Sequence, residues 1–547
     1  MSRGYLLSLP ALVLFAGLLI LPLGLTLVLS FNVFDYQVGV KADEWTFAHY
    51  LSLFSDSYFY EIFWRTFWIS ALVTLLCVVI GVPEAYILSR MGTPWRSIFL
   101  ILILTPLLIS VVVRAFGWSL LLGADGLVNQ VIQFLGGRPV KLLYTPFAVI
   151  IALVHVMLPF MIIPVWTSLQ KLDPSAEQAA LSLGASQATV MRKIVLPQVM
   201  PGVLSGTLIV FGLAASSFAI PGLLGGRRLK MVATVVYDQY LSELNWPMGA
   251  TIAVVLLLVN LLIMLSWNRM VEGRYKKSLG FKRMSRNGPL ALGFHALVVL
   301  FMMAPLVVVC LVAFTPENTL SLPTSGFSLR WFRAVFERAD FIQAFYNSLV
   351  LAFTAATLAT LIAVPAALAI SRYTFPGRNF FSALFLSPII IPHLVLGVAM
   401  LRLFALMGVN GSFTWLMLAH VVIITPYVLR LVLAAAIGID RSAEQAAESL
   451  GASRFTLFRQ ITLPMILPGV AGGWLLAFIN SFDEVTLSIF VSSPATQTLP
   501  VRMYVYATES IDPMMAAVSA LVIALTAATM ILLDRVYGLD RVLVGKH

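Results

Sequence analysis

The chain has 547 residues, 60% of them apolar and 11% charged, and its 35 Lys/Arg against 24 Asp/Glu leave a formal net charge of +11. A soluble domain carries about 25% charged residues, so at a mean hydropathy of +0.96 lipid must be the solvent along much of the chain. Strand-like alternation is missing, which argues against a membrane β-barrel. Runs of about 20 apolar residues are each long enough to cross the hydrocarbon core as a helix, the form in which backbone groups satisfy one another.

In chain order these runs predict spans near 8–31, 63–88, 98–122, 147–169, 199–221 and 248–267, then near 290–314, 347–370, 381–406, 413–437, 465–490 and 514–533. The first run, about Leu6 to Phe31, is too long for the apolar core of a signal peptide and lacks a small-residue cleavage site, so it reads as an uncleaved span. In span 2, Glu84 follows Pro83 and is expected to make a polar contact at a helix end. In span 3, Arg114 is expected to pair or to snorkel; Arg402 and Arg430 are the other basic groups in apolar surroundings. His155 and His420 read as packing histidines, and Trp118, Trp166 and Trp246 suit interfacial belts. Cys77 and Cys310 sit inside apolar runs as small hydrophobes, with no disulfide framework implied.

Placing the N-terminus in the cytoplasm puts the excess of Lys/Arg on the inner side, as the positive-inside rule requires, with both termini cytoplasmic. The densest basic stretch, Arg269 to Arg286, falls between spans 6 and 7 and reads as a topology anchor and linker. The net charge therefore points to no nucleic acid. Arg227, Arg228 and Lys230 are exceptions on the outer side.

Residues 173–202, DPSAEQAALSLGASQATVMRKIVLPQVMPG, return at 440–469 as DRSAEQAAESLGASRFTLFRQITLPMILPG. Upstream, Pro83, Ser89, Arg90 and Pro106 match Pro365, Ser371, Arg372 and Pro388, and Pro22 and Phe31 match Pro305 and Phe314. The chain is a tandem duplication: a first half 1–268, a linker 269–289 and a second half 290–547. With six spans in each, the halves share one orientation and form parallel repeats. The expected fold is an all-α polytopic membrane protein of twelve transmembrane helices.

Both copies of the repeat lie in a loop between the fourth and fifth spans of their half. Asp173-Pro174-Ser175 supplies N-cap and N1 residues, and an Ala-rich run follows. Gly184 or Gly451 then interrupts it, where a helix can stop and turn. A second amphipathic segment, with Val190, Ile194 and Leu196 in the first copy, is expected to end at Pro197 or Pro464. The shape is helix–turn–helix lying across the cytoplasmic face.

This spacing, an acidic/Ala-Ala start, three residues, Gly, nine residues, Ile-x-Leu-Pro, resembles the EAA loop of ABC importer permeases. The resemblance implies the type I importer fold and assigns coupling to Glu177, Gln178, Ala179, Ala180, Gly184, Ile194, Leu196 and Pro197. In the second copy it assigns Glu444, Gln445, Ala446, Ala447, Gly451, Ile461, Leu463 and Pro464. In that family the short helix docks in a groove of a separate ATP-binding subunit. The chain departs from the pattern where Gln178 and Gln445 stand directly before Ala-Ala, with Glu177 and Glu444 one position earlier, which puts the usual glutamate's ion pair in doubt. Two loops imply two copies of a cytoplasmic ATPase subunit. ATP and Mg would bind those partners and no cofactor this chain, which has no glycine-rich phosphate loop and no catalytic constellation. A periplasmic solute-binding protein and membrane lipid are the other implied partners, in a bacterial inner membrane.

Flanking stretches narrow the subfamily. Residues 111–130, VVVRAFGWSLLLGADGLVNQ, and 218–250 resemble the first permease of spermidine/putrescine-type importers, and 478–517, beginning FINSFDEVTL, the second. Members of that subfamily also carry iron(III), thiamine, opines or aminophosphonates. Ionisable groups in spans are functional candidates by default. Asp483 and Glu484, with Asn480 and Ser481, fall in span 11, where they would meet a cation or pair with a basic residue of another helix, and the matching stretch holds Ser216 and Ser217 instead. The expected function is solute import by ATP-driven alternating access; an ion-coupled secondary transporter is the alternative of another class.

Overall fold

The computed structural model describes residues 3–92, 95–170, 179–180, 182–226, 228–272, 288–320, 322, 324–437, 442–510 and 512–537. Each of the twelve expected spans contains a helix. Among the described residues, ten helices are long and apolar enough to cross a membrane, an eleventh span is a bent pair, and the twelfth falls in helix Pro513–Tyr537. Spans 2 (Ser57–Ser89) and 8 (Ala339–Arg372) run for 33 and 34 residues, about 50 Å at 1.5 Å per residue.

Spans 3 and 9 depart from the expectation of single helices. Span 9 breaks between Arg378–Ile389 and His393–Met407, which meet at 98°. Proline disfavours helical conformation in the residue before it, and Pro392 stands at this break with ψ 127°. Span 3 breaks likewise, after Trp95–Leu104 and a single tight turn, and resumes as Val111–Leu122, where the Ser110 hydroxyl accepts from the Val112 N–H at 3.3 Å. One hairpin pairs Asn32–Asp35 with Gly39–Trp45 between spans 1 and 2. It lies outside the apolar runs, and Gly39 at φ +87° closes its turn.

The first span of each half packs against the other half. Tyr5, at the start of span 1, donates to the Pro376 carbonyl at 2.6 Å. Span 7 (Pro289–Val312) lies on the first half: His295 Nδ1 is 2.5 Å from Glu84 Oε1, and the Met302 carbonyl is 3.0 Å from His155 Nε2. The approach is close enough to demand glycine at 117, where a Cβ would stand 2.6 Å from the Pro305 carbonyl oxygen.

Within each half the fifth span packs on the second and fourth, and one hydrogen-bonding device recurs. Thr66 accepts from the Val232 N–H at 3.0 Å, and its counterpart Ser348 from the Leu499 N–H at 2.7 Å. The neighbouring side chains repeat too, with Arg65 donating to the Lys230 carbonyl and Asn347 to that of Gln497. The duplication thus extends into contacts between segments far apart in sequence.

Candidate coupling loops and translocation site

The second coupling loop is described whole from residue 442. Helix Ser442–Ser449 precedes Gly451, whose φ is +82°. That left-handed region favours glycine because other residues meet their own Cβ there. Helix resumes at Arg454, where Ser453 accepts from the Thr456 N–H at 3.2 Å. It then widens into the π-helical turn Phe458–Thr462 and runs on as Leu463–Asp483. The first copy matches: Gly184 has φ +83°, Ser186 accepts from the Thr189 N–H at 3.3 Å, the π-turn is Met191–Val195, and Leu196–Ala215 follows.

Pro197 and Pro464 therefore do not end the amphipathic segment, as the sequence suggests; helix passes through them into spans 5 and 11. A proline inside a regular helix lacks its N–H and crowds the carbonyl four residues back. Here the preceding turn is wound one residue wider, with the Leu196 and Leu463 N–H groups bonded to the Met191 and Phe458 carbonyls, so the ring is accommodated. Such π-turns recur at functional sites; this one, occurring twice, forms an elbow between loop and span.

Glu444, one position before Gln445, makes an ion pair within the chain. Its Oε1 accepts from Arg372 Nη2 and from Thr462 Oγ1, both at 2.9 Å, tying the loop to the end of span 8 and to the elbow. Gln445 and Ala446 are exposed, and Ala447, Ile461 and Leu463 half-buried. In the first copy Ala179 is exposed and Ala180, Ile194 and Leu196 half-buried, while Glu177 and Gln178 lie outside the described residues, as does Arg227. Leu183 and Leu450 stand at matching places, each 88% exposed, and both proline rings are exposed.

At the far end of the fifth spans the halves diverge. The helix of span 11 stops at Asp483, so Asp483 and Glu484 cap its end instead of lying within it. Free carbonyls there would repel carboxylates, and Glu484 turns to donors elsewhere. It accepts from the Leu487 N–H at 2.6 Å and lies 3.0 Å from His393 Nδ1. Ser481 and Ser488 flank His420, each 2.8 Å from one ring nitrogen. Asn480 donates to the Leu476 carbonyl. In the first half the helix ends at Ala215, Ser216 bonds back to Gly212, and the Ser217 N–H bonds to Ala214.

Asp483 faces across to the first half. Its electrostatic neighbours are Arg114, the Ser110 hydroxyl and the Val111 N–H at the start of the broken third span. Arg114 is buried, and its Nε and Nη1, like Asp483 Oδ1, have no hydrogen-bond partner among the described residues. Arg114 thus lies in the electrostatic field of an acid of the other half without forming a direct ion pair with it. His155 and His420 are buried packing groups. Trp118 and Trp166 are 4% and 7% exposed and sit in helix contacts, not in interfacial belts.

Sequence reading finds no aromatic cluster beyond Asp483; the structure assembles one. Phe218 packs at centroid distances of 4.8 Å on Tyr237 and 5.0 Å on Tyr504, and Tyr237 lies 5.9 Å from Phe490. The four rings come from separate segments of both halves, so no local pattern announces them.

Comparison with known proteins follows this geometry. Residues 5–277 and 359–538 match the family described as binding-protein-dependent transport system inner membrane component. The probable ABC transporter permease y4fN of Sinorhizobium fredii is 29% identical over 504 residues, 86% of this chain and 87% of that protein. The spermidine/putrescine permeases PotB and PotC of Haemophilus influenzae are 32% and 34% identical, covering 41% and 44% of this chain and 79% and 93% of their own lengths. A chain of a bacterial alginate ABC transporter, solved with its alginate-bound periplasmic protein, gives a TM-score of 0.44 at 20% identity over 50% of this chain and 96% of its own. The chain belongs to the binding-protein-dependent inner membrane transport components: it is an ABC importer permease with two permease repeats fused in one polypeptide.

Proposed function

We propose that this permease forms the complete translocation pathway for a small cationic solute of the polyamine type, driven by a pair of separate ATPase subunits docked on its two coupling loops. The observation that carries the reading is the matched pair of loops, each with a left-handed glycine, an exposed leucine and a π-turn feeding straight into the span that ends at the candidate pathway. A load applied at Leu183 or Leu450 passes the glycine turn and then reaches Ser216 or Asp483 along the helix that begins at Gln187 or Arg454, with the elbow as its bend. ATP binding closes the ATPase dimer, the loops move with it, and the halves open outward to receive solute from a periplasmic binding protein. Hydrolysis returns them. Only contacts that differ between the two states drive this cycle.

The cationic reading rests on Asp483 and Glu484 and on relatives named spermidine/putrescine permeases. The test is uptake by the assembled importer in proteoliposomes, with labelled spermidine and putrescine set against thiamine, iron(III), an opine and an aminophosphonate. Saturable polyamine uptake dependent on ATP and binding protein supports it; uptake of one of the others alone reassigns the solute. Transport that persists without the ATPase would make this an ion-coupled carrier.

A further inference from the structure

Behind span 7 lies a partly open cavity of about 540 Å³. Its walls are apolar and aromatic side chains of span 2 (Val82, Ile87), span 4 (Leu169), the first elbow and the start of span 5 (Val195, Val199) and span 7 (Phe294). The volume is many times the ~30 Å³ that a liquid water occupies. Water settles in a cavity only where two to four polar groups hold it, and an apolar cavity takes an apolar guest instead. Between the spans of a membrane protein the hydrocarbon at hand is a lipid tail.

The second half is packed differently at the matching place. There span 1 packs against span 8, and where span 7 carries Phe294, span 1 carries Ala11, fully buried. The π-turn that lines the cavity with Met191 and Val195 presents exposed Arg192 and Lys193 between them. In the second elbow Arg192 is matched by the exposed Arg459, and Lys193 by the uncharged Gln460, so the first elbow carries one more positive charge. Basic groups beside an inter-span pocket recognise anionic lipid head groups.

We propose that this cavity is a lipid site: it holds one acyl chain of an anionic phospholipid whose head group lies on Arg192 and Lys193. The lipid then packs against the first elbow. This site depends on neither the solute nor the ATPase assignment, and its failure would leave both untouched.

The test uses the full chain purified in mild detergent, with dioleoylphosphatidylglycerol or dioleoylphosphatidylcholine added and retained lipid counted by native mass spectrometry. One phosphatidylglycerol is expected to stay on each chain, about tenfold more firmly than phosphatidylcholine, since losing head-group contacts of a kcal/mol or so costs that much affinity. Ala291→Phe, or Val199→Phe should the first not purify, fills the cavity and should abolish retention. Arg192→Gln with Lys193→Gln should retain lipid but erase the preference. Equal retention of the two lipids by the unmodified chain would overturn the proposal. So would undiminished retention by a cavity-filled variant that melts normally.

Discussion

The two halves are alike at the candidate coupling loops and unlike at the opposite ends of the spans those loops feed. At one end of the bundle the loops repeat to a degree in φ, with Gly184 at +83° and Gly451 at +82°, and share the π-turn and the exposed leucine. At the other end the second half gathers Asp483, Glu484, His393 and His420, and the first half offers Ser216, Ser217 and the buried Arg114. A symmetric pair of ATPase subunits would constrain both loops identically. A single solute on the axis makes no such demand, so one half can carry the charge for both.

The largest break in this comparison should come from the glycines. Valine at φ near +83° is strained by about 1–2 kcal/mol or more per residue, and β-branching makes it worse. Gly184→Val together with Gly451→Val should abolish uptake in proteoliposomes while ATP hydrolysis continues. Unchanged uptake would refute the hinge role, and equal partial losses from the single variants would show that both loops carry load.

Asp483→Asn comes next and should act on one half only. It removes the acid that faces Arg114, and polyamine uptake should fall about tenfold, the worth of ~1.4 kcal/mol at the barrier. Ser216→Ala, at the matching place, should leave uptake within about twofold. Similar losses from both would remove the asymmetry of the pathway.

Glu444→Gln tests whether the shifted glutamate anchors the second loop. It weakens charge-assisted hydrogen bonds to Arg372 and Thr462, worth about 1.5–3 kcal/mol. Coupling, read as transport per ATP, should drop, and should drop further with Glu444→Ala. The smallest effect belongs to the hydrogen bond that Thr66 and Ser348 repeat in the two halves. Thr66→Val and Ser348→Ala each strand one buried N–H at about 1–3 kcal/mol, and should lower the melting temperature in detergent by similar amounts without changing the solute.

Much of this was legible in the residues. Twelve apolar runs, the duplicated loop and the glycine turn needed only hydropathy and spacing, because helix formation in lipid is a local requirement. The break in span 9 had its signal in Pro388 and Pro392, yet apolarity ran across it unbroken. The elbow was hidden because a π-turn has no composition of its own, and Pro197 and Pro464 read as helix ends. What local pattern could not reach were partners across the halves: Arg114 with Asp483, Glu84 with His295, and the ring cluster of Phe218, Tyr237, Phe490 and Tyr504. The cross-packing of spans 1 and 7 that creates such pairings is a property of the assembled bundle.

The loops' common attachment to a motor is tested most directly by cross-linking. Leu183→Cys and Leu450→Cys, introduced one at a time into a chain whose Cys77 and Cys310 are replaced, would be joined to ATPase subunits bearing a cysteine at the rim of their docking groove. Both positions should cross-link to an ATPase subunit, with efficiencies that change together when ATP is added. Capture by only one position, or reaction of the two with impermeant thiol reagents from opposite sides of the membrane, would contradict the account.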